Sequence, residues 1–187
     1  HLHSDHFDPA AMELLSRESP IFCQPDDVNT LKREGFKCVT PVNDQAERNG
    51  IRLTRFSGQH GSGTVLEEMG HASGFVISAR GEPTILWIGD SLLTDTIRAE
   101  IKRAKPDVII THSCGAVWGT QRVLILTDAI QTTEICKLAP NSKVIAVHME
   151  ALDHATISRA DLRAYARANA ISDDQLLIPA DGEMIEL

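Results

Sequence analysis

Four residues of the types that bind metal ions lie within the first six positions of this 187-residue chain, and they constrain the fold more than any other feature. The stretch HLHSDH carries His1, His3, Asp5 and His6. Buried His and Asp side chains are costly unless they are paired or bind a metal ion. No common structural motif explains four of them on one tight turn before a helix. The spacing therefore predicts a metal site at the start of the fold.

Length and charge limit the classes of protein to which the chain can belong. We expect one domain over residues 1–187, because 187 residues with 42% hydrophobic content can bury a single substantial core. The formal net charge of −8 argues against non-specific nucleic-acid binding, which needs a basic surface. No apolar run is long enough to cross a bilayer. We therefore expect a small-molecule substrate, with neither nucleic acid nor a membrane as a partner.

The four cysteines bear on the compartment. They form no C-x-x-C pair and no closely spaced framework. This pattern is typical of reduced thiols rather than of a disulfide-linked secreted scaffold. We expect a cytoplasmic protein.

Hydrophobic periodicity and turn signals predict alternating helices and strands, which indicates an α/β fold. A hairpin is expected at the turn RGEP, between GFVISA and TILWIGD. The predicted helices span residues 8–17, 25–35, 93–105, 127–138 and 158–169. The predicted strands span residues 20–24, 36–40, 51–57, 74–79, 84–90, 107–112, 143–149 and 175–179.

Further polar residues follow predicted strands: His60, Asp90, His112 and His148. Each has an ordinary structural explanation by itself, since a single His near a strand end is usually hydrogen-bonded and Asp90 could cap a helix. The glycines of GQHGSG lack the Lys-Ser/Thr pair of a phosphate-binding loop. Because loops at one edge of a sheet come together in space, the recurrence predicts that these residues share one site.

The order and intervals of HLHSDH, GQHG, IGDS and VIAVHMEALDH resemble those of the metallo-β-lactamase superfamily, over nearly the whole chain. Within it, the chain is most similar to the branch of L-ascorbate-6-phosphate lactonase. This resemblance implies an αββα sandwich and two divalent metal ions. We expect these ions to be zinc or manganese, with iron as the alternative.

The resemblance also implies roles for individual residues. One metal ion would be bound by His1, His3 and His60, and the second by Asp5, His6 and His148, with Asp90 as the bridge. His154 follows His148 closely and could exchange roles with it. We expect His148 to be the ligand. The catalytic residues would be Asp90 together with His112 and His154, the two candidates for proton donor.

Two departures from the family pattern matter. Proteins of this fold carry several strands ahead of the HxHxDH motif, which are absent from this chain. An exposed sheet edge and apolar face would result, so we expect either a homo-oligomer or association with the missing N-terminal segment. The motifs of neighbouring subfamilies are also absent: di-iron oxidoreductases have Glu where His3 stands, and signal-lactone hydrolases use a tyrosine, whereas Tyr165 lies in a predicted helix.

The leading hypothesis is a metal-dependent hydrolase of a small anionic or cyclic ester, in its sharpest form a lactonase. Arg122 or Arg159 would supply positive charge to an anionic substrate. The alternatives are a metal-dependent phosphodiesterase, and an inactive C-terminal half of a split or proteolysed hydrolase.

Overall fold

A computed structural model describes residues 1–186 of the chain. Six α-helices are present, with a short 3-10 turn at Pro25–Asp27. The helices are α1 (Pro9–Leu14), α2 (Val28–Arg33), α3 (Thr64–Met69), α4 (Asp95–Ala104), α5 (Ala129–Leu138) and α6 (Arg159–Ala168). The strands are β1 (Pro20–Cys23), β2 (Cys38–Pro41), β3 (Gln45–Arg48), β4 (Ile51–Ser57), β5 (Ser73–Ala79), β6 (Ile85–Trp87), β7 (Val108–His112), β8 (Val117–Trp118), β9 (Val123–Leu124), β10 (Lys143–Val147) and β11 (Leu176–Leu177).

One sheet of seven strands organises the molecule, in the order β11-β10-β7-β6-β5-β4-β3. Strands β6, β7, β10 and β11 are parallel, whereas β3 to β6 are antiparallel neighbours. Two small sheets pair β1 with β2 and β8 with β9. The parallel half brings the carboxyl ends of β6, β7 and β10 to one edge, which is where ligands bind in such sheets.

The predicted alternation of helices and strands is confirmed, and the helix starts show why. The Thr94 side chain accepts a hydrogen bond from the N–H of Ile97 at the start of α4. Ser158 and Asp161 form a capping box at the start of α6. Each cap satisfies N–H groups that have no partner within the helix. The hairpin between β5 and β6 is present as predicted.

Several short elements were not predicted. They are β3, helix α3 and the hairpin formed by β8 and β9. Each has six residues or fewer, too few for a periodic hydrophobic pattern to be distinguished from a loop. Asn49-Gly50 is a strong turn signal, but QAER ahead of it carries little strand propensity of its own. It forms β3 by pairing with β4.

The main core lies on one face of the large sheet. A row of residues that are paired from strand to strand is almost fully buried there: Val76, Leu86, Ile109, Val144 and Leu176. Apolar residues of α4, α5 and α6 belong to the same core. Burial of such a continuous row supplies the main hydrophobic stabilisation of the sheet.

The opposite face of the sheet is also apolar but is only partly covered. The next row in register comprises Phe75, Trp87, Ile110, Ile145 and Leu177, all of them half-buried or exposed. Trp87 is 43% exposed. The expected apolar face therefore exists, whereas the segment or second copy that would cover it stays a prediction.

A second, smaller core links the N-terminal region to the β1–β2 pair. It consists of Cys23, Leu31 and Phe36, with Leu2 and Phe7 packed against it. The two apolar residues of the HLHSDHF stretch thereby fix the position of the histidines between them.

None of the helices among residues 1–186 combines the length and the apolar character that a membrane crossing requires. The four cysteines are free thiols, and burial raises the pKa of Cys114 to about 11 and that of Cys136 to about 12. Neither thiol is ionised near neutral pH, so neither is primed for nucleophilic chemistry.

Two neighbouring isoleucines on opposite faces of β7 test whether the half-exposed face is free in solution. Ile109→Ala is expected to lower the free energy of unfolding by about 2–5 kcal/mol, because its side chain is fully buried in the main core. Ile110→Ala, on the half-exposed face, should lower the free energy of unfolding by clearly less than Ile109→Ala does. Urea denaturation of both variants measures the difference, and equal losses would mean that the face is covered in solution.

Candidate metal centre

The HLHSDH stretch forms a tight turn directly ahead of α1. The backbone carbonyl of His3 accepts hydrogen bonds from the N–H groups of His6 and Phe7, both at 3.0 Å. Asp8 then caps α1 by accepting from the N–H of Ala11. Because the apolar residues of the turn pack into the second core, its imidazoles are left on the side of the large sheet.

A first group of three imidazoles consists of His1, His3 and His60, with one ring nitrogen of each lying within 4.8 Å of the others. His60 Nδ1 lies 3.0 Å from the carbonyl oxygen of Ile125. A carbonyl can only accept, so Nδ1 carries the proton and Nε2 keeps a free lone pair. Burial lowers the pKa of His60, which keeps the ring neutral, the form that binds metal ions.

A second group lies beside the first, with ligand atoms of His6, Asp90, His112 and His148 within 4.8 Å of one another. The Asp5 carboxylate adjoins this group, since its Oδ2 is 3.3 Å from His148 Nε2. His148 directly follows β10 and has a left-handed backbone with φ of 62°. This conformation costs a non-glycine residue about 1–2 kcal/mol, and such strain is typical of functional positions.

The Asp90 carboxylate lies between the two groups. Its Oδ2 is 3.0 Å from His6 Nε2 in the second group, and 3.7 Å and 3.5 Å from the Nε2 atoms of His1 and His60 in the first. One oxygen atom thus faces both sets of imidazoles. This is the geometry that a bridging ligand requires.

The ionisation of Asp90 follows from its surroundings. Burial alone would raise the pKa of this carboxyl, but hydrogen bonds from His112 and His6 outweigh it and hold the pKa well below its usual range. Asp90 is therefore a carboxylate at neutral pH. A buried negative charge of this kind needs positive charge nearby, which a metal ion supplies.

Two loops are tied together to place His60 and Asp90. Ser91 Oγ accepts from the N–H of Gln59 at 2.7 Å, and the N–H of Leu92 donates to the Gln59 carbonyl at 2.9 Å. Gly89 has a φ of 70°, and a Cβ atom there would lie 3.0 Å from the carbonyl oxygen of Ser73. A glycine is thus required immediately before Asp90.

Both ring nitrogens of His112 are engaged. Trp87 Nε1 donates to His112 Nε2 at 3.2 Å, and an indole N–H can only donate. The proton of the neutral ring is then on Nδ1, which lies 2.5 Å from Asp90 Oδ1. His112 is therefore placed to orient Asp90 and leave its Oδ2 directed at the imidazoles, and it does not line the cavity at the site.

The residues fit a metal centre by two observations. His1 Nε2 is buried and has no hydrogen-bond partner among the described residues, although Asp90 Oδ2 is only 3.7 Å away. A buried nitrogen without a partner is destabilising unless something binds it. The donors are imidazole nitrogens and carboxylate oxygens, a set that suits zinc, manganese or iron.

A cavity of about 390 Å³ opens next to Asp90. His154 lines it, with its Nδ1 3.0 Å from Asp153 Oδ1, and belongs to neither imidazole group. Trp118, on the β8–β9 hairpin, forms part of the wall, and its Nε1 donates to Glu68 Oε2 at 3.0 Å.

The structure brings the seven residues that were predicted as ligands close together. The first group holds the three imidazoles predicted for one metal ion, whereas the second also includes His112, which was predicted as a proton donor, and has Asp5 beside it. Their binding of metal stays a prediction. Sequence reasoning missed Trp87 and Glu68, whose importance depends on contacts made across the fold. Arg159 was considered as a source of positive charge, but it is bound to Glu150 and Asp181 and does not line the cavity. Arg122 does not line it either.

The sequence and structure of the chain are similar to those of known proteins. The family model of the beta-lactamase superfamily domain matches residues 1–149. The UPF0173 protein YddR of Bacillus subtilis (strain 168) is 34% identical to this chain, over 98% of this chain and 72% of that protein.

Two solved structures are similar throughout the chain. A possible metal-dependent hydrolase from Veillonella parvula DSM 2008 has a TM-score of 0.95 and 31% identity, covering 100% of this chain and 74% of that one. An isothiocyanate hydrolase from Delia radicum gut bacteria has a TM-score of 0.92 and 29% identity, with the same coverage.

The geometry predicts how single substitutions change metal content. Asp90→Ala and His148→Ala should lose most of the bound metal, because each removes a donor from the centre of the ligand set. His154→Ala is the matched control and should retain it. Elemental analysis of the purified proteins measures the ratio of metal to chain, and a loss in the His154 variant with retention in the His148 variant would exchange their roles.

Proposed function

The chain belongs to the metallo-β-lactamase superfamily, and from this premise we propose that it hydrolyses a small-molecule ester, in a lactonase-like reaction that uses two divalent metal ions. The superfamily and its mixed α/β fold, both predicted from the sequence, are confirmed. The particular likeness to L-ascorbate-6-phosphate lactonase stays a prediction, as does the absence of leading strands.

The observation that carries the proposal is the position of Asp90 Oδ2. It lies within 3.7 Å of imidazole nitrogens from both groups. One carboxylate oxygen that faces two ligand sets is suited to hold two cations side by side. A site for one metal ion would not require donors on both sides of this oxygen atom.

When bound, divalent metal ions there would supply Lewis acidity and lower the pKa of water, which is the chemistry that ester hydrolysis at neutral pH requires. The chain's own residues arrange that chemistry. His112 orients Asp90, and the Ile125 carbonyl fixes the tautomer of His60. Such outer hydrogen bonds hold ligands in the required orientation.

Proton delivery to the leaving group needs a side chain that faces the cavity. His154 meets this condition because it lines the cavity and its Nδ1 is oriented by Asp153. His112 does not, since both of its ring nitrogens have partners. We therefore assign proton donation to His154 and a positioning role to His112.

A second reaction is supported by one comparison. The isothiocyanate hydrolase matches all of this chain and 74% of its own length. The carbon of an isothiocyanate is electrophilic, like that of an ester carbonyl. Attack by an activated water on an isothiocyanate carbon makes the same demands on the site as attack on a lactone. Both reactions belong in the first activity screen.

The screen compares δ-valerolactone, benzyl isothiocyanate and bis(4-nitrophenyl) phosphate, with metal-loaded protein and its Asp90→Ala variant. We expect the lactone to be hydrolysed, and the rate to fall at least about 100-fold in the variant. Turnover of the phosphodiester alone would replace the proposal with a phosphodiesterase. If the protein binds no metal and hydrolyses none of the three substrates, the chain would be the inactive half of a split or proteolysed hydrolase.

Measurements of kcat and of metal affinity distinguish the roles of His154 and His112. His154→Gln should lower kcat by about 10²- to 10⁴-fold without changing metal affinity, as expected for loss of a proton donor. His112→Ala should weaken metal affinity by about 10- to 100-fold, because Asp90 loses its orienting partner. Competition with a chromogenic chelator measures affinity. Unchanged metal affinity in the His112 variant, with a loss of kcat, would return the donor role to His112.

A further inference from the structure

The cavity beside Asp90 limits the charge of a substrate that can bind there. Resting on the proposed function, we infer that the site takes an uncharged substrate with an apolar group, and selects against substrates that carry a carboxylate or phosphate. The inference depends on the walls of the cavity and on Glu68, an exposed residue that lines it.

The walls are largely apolar. Met69, Ile125 and Leu126 are buried and form the inner part, and Leu152 and Trp118 complete the wall. A volume of about 390 Å³ is at the small end of the range for ligand pockets. Such a space fits one small molecule whose apolar group contacts these side chains.

The charged side chains that line the cavity are all acidic. They are Asp5, Glu68 and Asp90, and the lining includes no Lys or Arg. Asp5 and Asp90 adjoin the imidazoles, where their two negative charges would offset half of the charge of two divalent ions. Glu68 has no Lys or Arg beside it in the lining, and it accepts a hydrogen bond from the neutral indole of Trp118.

Glu68, which is exposed, therefore adds a negative charge to a cavity lining that contains no Lys or Arg. An apolar wall cannot hydrate an anionic group of the substrate, and Glu68 repels it. Neither arginine that was predicted to attract an anionic substrate lines the cavity, and Arg159 is paired with Glu150 and Asp181. An uncharged substrate is thus favoured over the anionic one of the two substrate types, anionic or cyclic ester, that were expected from the sequence.

Two esters that differ in charge but share a leaving group test the inference. 4-Nitrophenyl pentanoate is uncharged, whereas the mono-4-nitrophenyl ester of glutaric acid ends in a carboxylate. The metal-loaded protein should hydrolyse the first with kcat/KM at least about tenfold higher. Equal values, or a preference for the charged ester, would overturn the inference.

Variants assign the selection to Glu68. Glu68→Gln should raise the ratio of kcat/KM for the charged ester to kcat/KM for pentanoate several-fold. Glu67→Gln is the matched control, since Glu67 is exposed on the same helix as Glu68 is, does not line this cavity, and its substitution changes net charge equally. Circular dichroism melts verify that both variants fold. Equal effects of the two variants, or no effect of Glu68→Gln, would contradict the assignment.

Binding separates this inference from the proposed function. Calorimetric titration with pentanamide and with glutaramate, the corresponding uncharged and charged amides, compares affinity without hydrolysis. Preference for pentanamide by a protein that hydrolyses neither ester would retain the inference and reject the proposed function. Preference for glutaramate would reject the inference, whatever the activity.

Discussion

The buried carboxylate of Asp90 is the constraint on which the rest of the site depends. It receives hydrogen bonds from His112 and His6, and its Oδ2 faces the imidazoles of both ligand groups. A negative charge so fully removed from water is destabilising unless positive charge or several donors surround it. The histidines around it, the glycine before it and the serine after it all serve to hold that charge in one position.

The large sheet brings together site residues that lie far apart in the sequence. Asp90, His112 and His148 come from the carboxyl ends of β6, β7 and β10, which are neighbours in the parallel half of the sheet. The remaining imidazoles come from a turn that is anchored by Leu2 and Phe7 in a separate core. The ligand set therefore forms only when both cores are in place.

The residues that gather around Asp90 could be predicted from the sequence because their signals are local: four residues on one turn, and single polar residues at the ends of recognisable strands. Trp87 could not, because its contact with His112 depends on the register that pairs Trp87 with Ile110 on the neighbouring strand. Glu68 could not either, since the short helix that carries it has no clear periodic pattern. Spacing reveals which residues can bind a metal ion, but the surroundings that set substrate charge are assembled from distant segments.

Trp87 belongs to two parts of the molecule at once. Its indole lies in the half-exposed apolar row of the large sheet, and its Nε1 holds the tautomer of His112. Water that reaches this face competes for the same hydrogen bond, whereas a segment or second copy packed on it would exclude that water and strengthen the bond. Covering of this face would thereby be coupled to the orientation of Asp90, through the hydrogen bonds that join Trp87 to His112 and His112 to Asp90.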